Sequence, residues 1–162
     1  MNKTFFGALV VLLCLITIPA SAATVSFMMV ETGLREDSVS TRYGSLWEGS
    51  LMDAFFNAGH IVTNSPITRM ETRPITINTD LQADLDDAYL GGAQYFVLGV
   101  LEYIDQPGVP IPSKITIEIY TTGTRELIYR QDFAAGAGRT MTEEDRIAQE
   151  AGRITVSQIQ NR

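Results

Sequence analysis

Cysteine, histidine and lysine are nearly missing from this sequence. Its 162 residues hold one cysteine (Cys14), one histidine (His60) and two lysines (Lys3 and Lys114). Each scarcity closes off a class of chemistry. Cys14 sits inside an N-terminal apolar run, so the rest of the chain has no thiol for a disulfide, a nucleophile, or a zinc or iron–sulfur site. A serine triad needs a histidine, and no Gly-x-Ser-x-Gly elbow accompanies His60. Placed just after Gly59, His60 reads as a solvated cap at a helix C-terminus. Positive charge is scarce as well. The formal net charge is −7, which argues against nucleic acid and anionic lipid, because both call for a basic face. Long hydrophobic runs are confined to the N-terminus, and there is neither an internal repeat nor a low-complexity tract.

The N-terminal segment reads as a cleavable signal peptide over residues 1–22. Lys3 supplies positive charge and an apolar run extends from Phe5 to Ile18. Pro19 breaks that run, and Ala20-Ser21-Ala22 gives the small-x-small pattern of a cleavage site. The run is shorter than the roughly 20 residues needed to cross a bilayer. Cys14 lies in mid-run with Leu15 after it, which does not fit a lipid-attachment site. Processing places the mature terminus at Ala23, makes the chain one unit more acidic, and leaves residues 23–162 as a single domain. A chain of that length buries roughly two-thirds of its unfolded surface, which suffices without disulfides.

Apolar spacing lays out the elements. Thr24 to Val30 is apolar on both faces, as in a strand covered on both sides, and a polar segment runs from Glu31 to Ser40. Tyr43, Leu46, Trp47, Leu51, Ala54, Phe55 and Ala58 mark an amphipathic helix that Gly59 ends. A short strand follows at His60 to Thr63 and stops before Pro66, and no element is assigned from there to Asn78. A second helix spans Asp80 to Leu90, with Leu81, Leu85, Ala88 and Tyr89 inward, Thr79 as cap and Gly91-Gly92 as stop. Tyr95 to Leu101 is the central strand. Ile115, Ile117 and Ile119 alternate with polar residues in a half-exposed strand, and Leu127 to Phe133 is its hairpin partner. The last helix is capped by Thr142 and turns Ile147, Ala151, Ile154 and Gln158 to one side. The fold class is α/β: one domain of two or three layers, whose mixed sheet has a parallel β-α-β-α-β portion, an antiparallel hairpin and a C-terminal helix.

Candidate chemistry is sparse. Asp80, Asp84 and Asp87 share one helix face while Asp86 diverges, and the spacing lacks the glycine and final glutamate of a calcium loop. Gly136-Ala137-Gly138 precedes a helix but completes no phosphate-binding pattern, and Glu143, Glu144 and Asp145 fill that helix start with negative charge. No catalytic residue, metal ligand or cofactor is assigned. The remaining feature is a proline-stiffened loop carrying Pro107, Val109, Pro110, Ile111 and Pro112. A stiff loop loses little entropy on binding, so these five residues are the candidate partner-binding site, unless the loop simply joins two strands. The strand Leu127 to Phe133 is either an edge open to strand addition or one blunted by Arg130 and Asp132.

Three of these features together resemble a group of bacterial periplasmic domains. They are the Tyr43 to Ala58 helix ending at Gly59 before the Ile61 to Thr63 strand, the segment Gly91-Gly92-Ala93-Gln94-Tyr95-Phe96-Val97-Leu98-Gly99-Val100, and the closing hairpin and helix. The group comprises the periplasmic domain of the curli secretion channel, FlgO-type flagellar proteins, lipoprotein activators of penicillin-binding proteins, and the N-terminal domain of TolB. The chain departs from it in lacking a lipid-attachment cysteine and in having Asn64-Ser65-Pro66 where an arginine often stands. The resemblance implies a non-catalytic envelope protein, periplasmic or else secreted, that binds other envelope proteins in envelope or appendage assembly. The alternative is an enzyme or small-molecule carrier that acts on envelope material through carboxylates.

Overall fold

The computed structural model describes residues 22–34, 42–70, 75, 77–104 and 110–160. Strand β1 (Thr24–Thr32) presents Val25, Phe27 and Met29 to one side and Met28 and Val30 to the other, all buried. It runs two residues past the apolar pattern, so Glu31 and Thr32, expected in a polar loop, are buried strand residues. Helix α1 (Arg42–Asn57) follows. Gly59 takes a φ of 89°, which places the His60 N–H on the Phe55 carbonyl and the Gly59 N–H on the Phe56 carbonyl, at 3.1 and 2.9 Å. Those two bonds close the helix, and a left-handed φ is what glycine supplies at little cost.

Two short strands then form one interrupted edge. β2 (Ile61–Asn64) pairs in parallel with Thr24 to Phe27, and β3 (Thr68–Met70) pairs in parallel with Val30 to Thr32. Pro66, between them, has no N–H to give a ladder. β3 lies in the stretch to which the sequence pattern assigned no element. β4 (Tyr95–Tyr103) pairs in parallel with the other side of β1. β5 (Pro112–Thr121) and β6 (Leu127–Ala134) continue the sheet antiparallel, giving the order β2-β1-β4-β5-β6 with β3 beside β1. The expected mixed α/β sheet, with β4 at its centre, is therefore the observed one.

The second helical region departs from its expected form. A short turn, α2 (Ile77–Asp80), is separated from α3 (Gln82–Leu90) at Leu81, whose φ of −126° leaves the helical range. Thr79 lies inside α2, and α3 has no side-chain cap. Leu81, Leu85 and Ala88 point to the sheet as expected, but Tyr89 is 57% exposed, against the β5–β6 turn near Gly123. The final helix, α4 (Met141–Gln160), starts one residue before Thr142, and the Thr140 hydroxyl accepts the Glu143 N–H instead. Its buried side is Glu144, Ala148, Ala151, Gly152, Thr155, Val156 and Ile159. Ile154, expected inward, is exposed. The stripe is rotated because Gly152 lets α4 approach α1 so closely that an added Cβ would lie 2.7 Å from the Ala54 Cβ.

The layers follow. α1 and α4 cover one face through Trp47, Leu51, Phe55, Ala151 and Ile159, packed on Val25, Phe27, Val97, Ile115, Ile117 and Ile119. α3 covers part of the other face through Leu81, Leu85 and Ala88, against Met28, Val30, Phe96, Leu98 and Tyr120. β5, expected to be half-exposed, is buried on both faces, with Thr116, Glu118 and Tyr120 lying on the second. Leu98 is fully buried under α3 in the central strand. Leu98→Ala is expected to cost about 2–5 kcal/mol, the range for an emptied core leucine, measured by urea denaturation. Reducing agent is expected to leave the midpoint of that transition unchanged.

Candidate interaction surface

The carboxyl ends of β1, β3 and β4 and the start of β5 gather at one end of the sheet. Helices α1 and α4 also begin there and run side by side, with Trp47 against Glu144, Ser50 against Asp145 and Ala54 against Gly152. Two buried carboxylates sit at these helix starts, where the unsatisfied N–H groups favour negative charge. Glu31 accepts the Tyr103 hydroxyl at 2.9 Å and lies 3.6 Å from Arg69 Nε. It also presses against Gly44 in the first turn of α1, where a Cβ would come within 2.7 Å of the carboxylate.

Glu144, 1% exposed, holds more. Its Oε1 accepts the Trp47 indole N–H at 2.8 Å and the Gly136 N–H at 2.7 Å, and its Oε2 accepts the Gly138 N–H at 3.0 Å. The glycine-rich connector thus forms an anion-binding concavity occupied by the chain's own carboxylate. Gly136 (φ 69°) in turn backs onto the proline loop, since a Cβ there would strike the Pro112 carbonyl and Ile111 Cγ2.

Of the five loop residues singled out from the sequence, Pro107 and Val109 lie outside the described residues. Pro110 is half-buried, Ile111 is 39% exposed, and Pro112 is buried as the first residue of β5, paired with Tyr103. Pro112 therefore belongs to the sheet and not to an exposed loop. Ile104, at the other stem, is 60% exposed. The sequence reading passed over it because the apolar run ends at Leu101 and the strand continues to Tyr103. Two exposed isoleucines thus flank residues 105–109 on stems fixed by β4, β5 and the connector.

The remaining sites are structural. Across the second face of the antiparallel strands, Lys114 reaches Glu102 at 3.0 Å and Asp132 at 3.6 Å, and Arg130 reaches Glu118 at 3.0 Å. The hydrogen bond to Glu102 raises the Lys114 pKa, and burial, followed by the adjacent Glu118, raises that of Tyr120 well above the usual phenol range. β6 is an edge strand with Arg130 and Asp132 engaged in this ladder. Asp86 pairs with Arg125 across to the hairpin turn. His60, expected in solvent, is buried, with Nδ1 accepting the Ala23 N–H, because the close of α1 turns it under the start of β1. Among the described residues, no three His, Cys, Asp or Glu side chains are grouped to hold a metal. No described helix is long and apolar enough to cross a membrane.

This arrangement is a mixed α/β domain shared with solved bacterial structures. PelC from Paraburkholderia phytofirmans, solved as a dodecamer, is similar with a TM-score of 0.52 and 15% identity, over 89% of this chain and 93% of that one. The LpoB C-terminal domain from Salmonella enterica matches with a TM-score of 0.45 and 14% identity, over 79% of this chain and 93% of that one. TolB from Acinetobacter baumannii matches with a TM-score of 0.41 and 14% identity, over 85% of this chain but 27% of that one. TolB, whose N-terminal domain the sequence resembles, is among these matches. No family model matches the chain, and no curated protein matches it in sequence.

Glu144→Ala would leave the buried Trp47 indole N–H and the part-buried Gly136 and Gly138 N–H groups without their acceptor. A loss of at least about 2 kcal/mol is expected, since each orphaned buried donor costs about 1–3 kcal/mol. Urea denaturation followed by Trp47 fluorescence measures it, and a loss under about 1 kcal/mol would remove Glu144 as the fastening of the connector.

Proposed function

We propose that this is an exported, non-catalytic protein of the bacterial envelope that binds another envelope protein through the loop end of its sheet. The observation that carries the reading is the pair Ile104 and Ile111, exposed on rigid stems on either side of residues 105–109. Apolar side chains fixed in solvent contribute to binding without a large ordering cost. The Ala20-Ser21-Ala22 pattern supports export to the periplasm or beyond, and the fold shared with PelC is compatible with a role in envelope or appendage assembly. The carboxylate alternative draws little support from the described residues. Glu31, Glu118 and Glu144 are each engaged by neighbouring donors that hold the fold together.

A second reading is that copies of this chain are one another's partners, which the PelC dodecamers favour. Sedimentation of the mature protein separates the two readings.

Ile104→Asp with Ile111→Asp tests the surface. Both side chains are exposed, so circular dichroism is expected to stay unchanged. Capture of the partner after cross-linking in intact cells is expected to fall at least tenfold, because an aspartate in an apolar contact is desolvated without a counter-charge. Undiminished capture by the folded double variant would remove this surface as the binding site. Export is checked separately by mass spectrometry of the native protein, which is expected to begin at Ala23 without added lipid.

A further inference from the structure

Three observations converge on one nitrogen atom, that of Ala23. First, Ala22 is exposed, whereas Ala23 is 4% exposed and gives its carbonyl to the Ile61 N–H at 2.9 Å. Second, the small-x-small pattern Ala20-Ser21-Ala22 ends at the Ala22–Ala23 bond. Third, the Ala23 nitrogen donates to His60 Nδ1 at 3.2 Å. His60 is the chain's single histidine and is 6% exposed, so a titratable ring has been folded against the residue that precedes β1.

We infer that His60 is the binding site for the free α-amino group of the processed chain. The inference rests on the export reading above. Hydrolysis of the Ala22–Ala23 peptide bond by a signal peptidase consumes one water. The hydroxyl goes to the Ala22 carbonyl carbon, and the hydrogen goes to the Ala23 nitrogen, which takes a further proton to become an ammonium. That nitrogen is already beside the acceptor. A free α-amine ordinarily titrates near about 7.7–8.0 and an imidazole near about 6.5, so at neutral pH the proton resides on the amine and the lone pair on Nδ1. The ammonium keeps its other two N–H groups for the solvent that meets Ala22 in the unprocessed chain. A charged donor makes a stronger hydrogen bond than the amide it replaces, so processing tightens the fastening of β1.

The surroundings of the ring fix its protonation. Nδ1 accepts, so the neutral ring carries its proton on Nε2, an atom that is buried and has no partner. The Phe55 ring faces it from α1, with centroids 5.8 Å apart, and Ala23 faces it from the start of β1. Neither is charged beforehand, and burial is the cause that lowers the His60 pKa. A protonated His60 would confront the ammonium directly. Because the folded ring resists a proton that the unfolded chain accepts, stability is full above about pH 6.5 and declines as pH falls through the lowered folded pKa.

The test compares a recombinant chain beginning at Ala23 with one carrying a single glycine before Ala23, which restores the amide. Imidazole resonances of His60 are followed by NMR from pH 4 to 8. In the Ala23 chain the ring is expected to titrate about one unit lower, a tenfold weaker proton affinity, because a cation now faces it. Acetylating the Ala23 amine should return the titration to that of the extended chain, and His60→Phe should erase any difference in stability between the two chains. Equal His60 titrations in the Ala23 and glycine-extended chains overturn the site whatever the native terminus is. A native terminus other than Ala23 overturns instead the processing on which the site depends.

Discussion

The Glu144 carboxylate ties together parts of the chain that are far apart in sequence. Trp47 brings α1 to it, Gly136 and Gly138 bring the connector, and Glu144 itself belongs to the first turn of α4. The relative placement of the two helices over the sheet depends on this one acceptor. So does the stem of the proline loop, because Gly136 is the surface on which Ile111 and Pro112 rest. A neutral side chain of the same size could not serve three donors at once.

Around this junction the sheet divides into two halves with different physical characters. In the parallel half, β1 and β4 are held by apolar contact on both faces, with Val62 of β2 and Met70 of β3 packed at the border. The antiparallel half keeps its apolar contact on the α1–α4 side and carries paired charges on the other, from Glu102 and Lys114 to Asp132 and from Glu118 to Arg130. A cysteine-free domain of this size has no covalent clamp. Its cohesion is the burial of residues such as Phe55, Phe96, Leu98 and Ile117 against one continuous sheet.

Much of this was legible in the sequence, and for identifiable reasons. The alternation of Ile115, Ile117 and Ile119, the unbroken apolar run around Leu98, and Gly59 at the end of a periodic stretch are local signals that tertiary contacts reinforced. The misreadings were those in which a tertiary contact overrode the local one. Glu31 and Glu118 look like surface residues until Tyr103 and Arg130 arrive from other strands. His60 looks like a helix cap until Ala23, just before β1, brings its N–H to the ring. The inward stripe of α4 is set by Gly152 against Ala54, a contact between segments nearly a hundred residues apart, which no periodicity encodes. The candidate surface was half legible. The prolines announced the loop, but Ile104 became part of it only once β4 was seen to extend to Tyr103.

The interruption at Pro66 carries a consequence for how molecules of this kind can aggregate. A growing stack of sheets needs two docking edges per molecule, one to receive and one to offer. Along β6 a newcomer would meet eight consecutive residues, whereas the opposite border offers four and then three, with a residue between them that cannot donate. Among the described strands, the β2–β3 border therefore offers an incoming edge a shorter and interrupted run of backbone groups than β6 does.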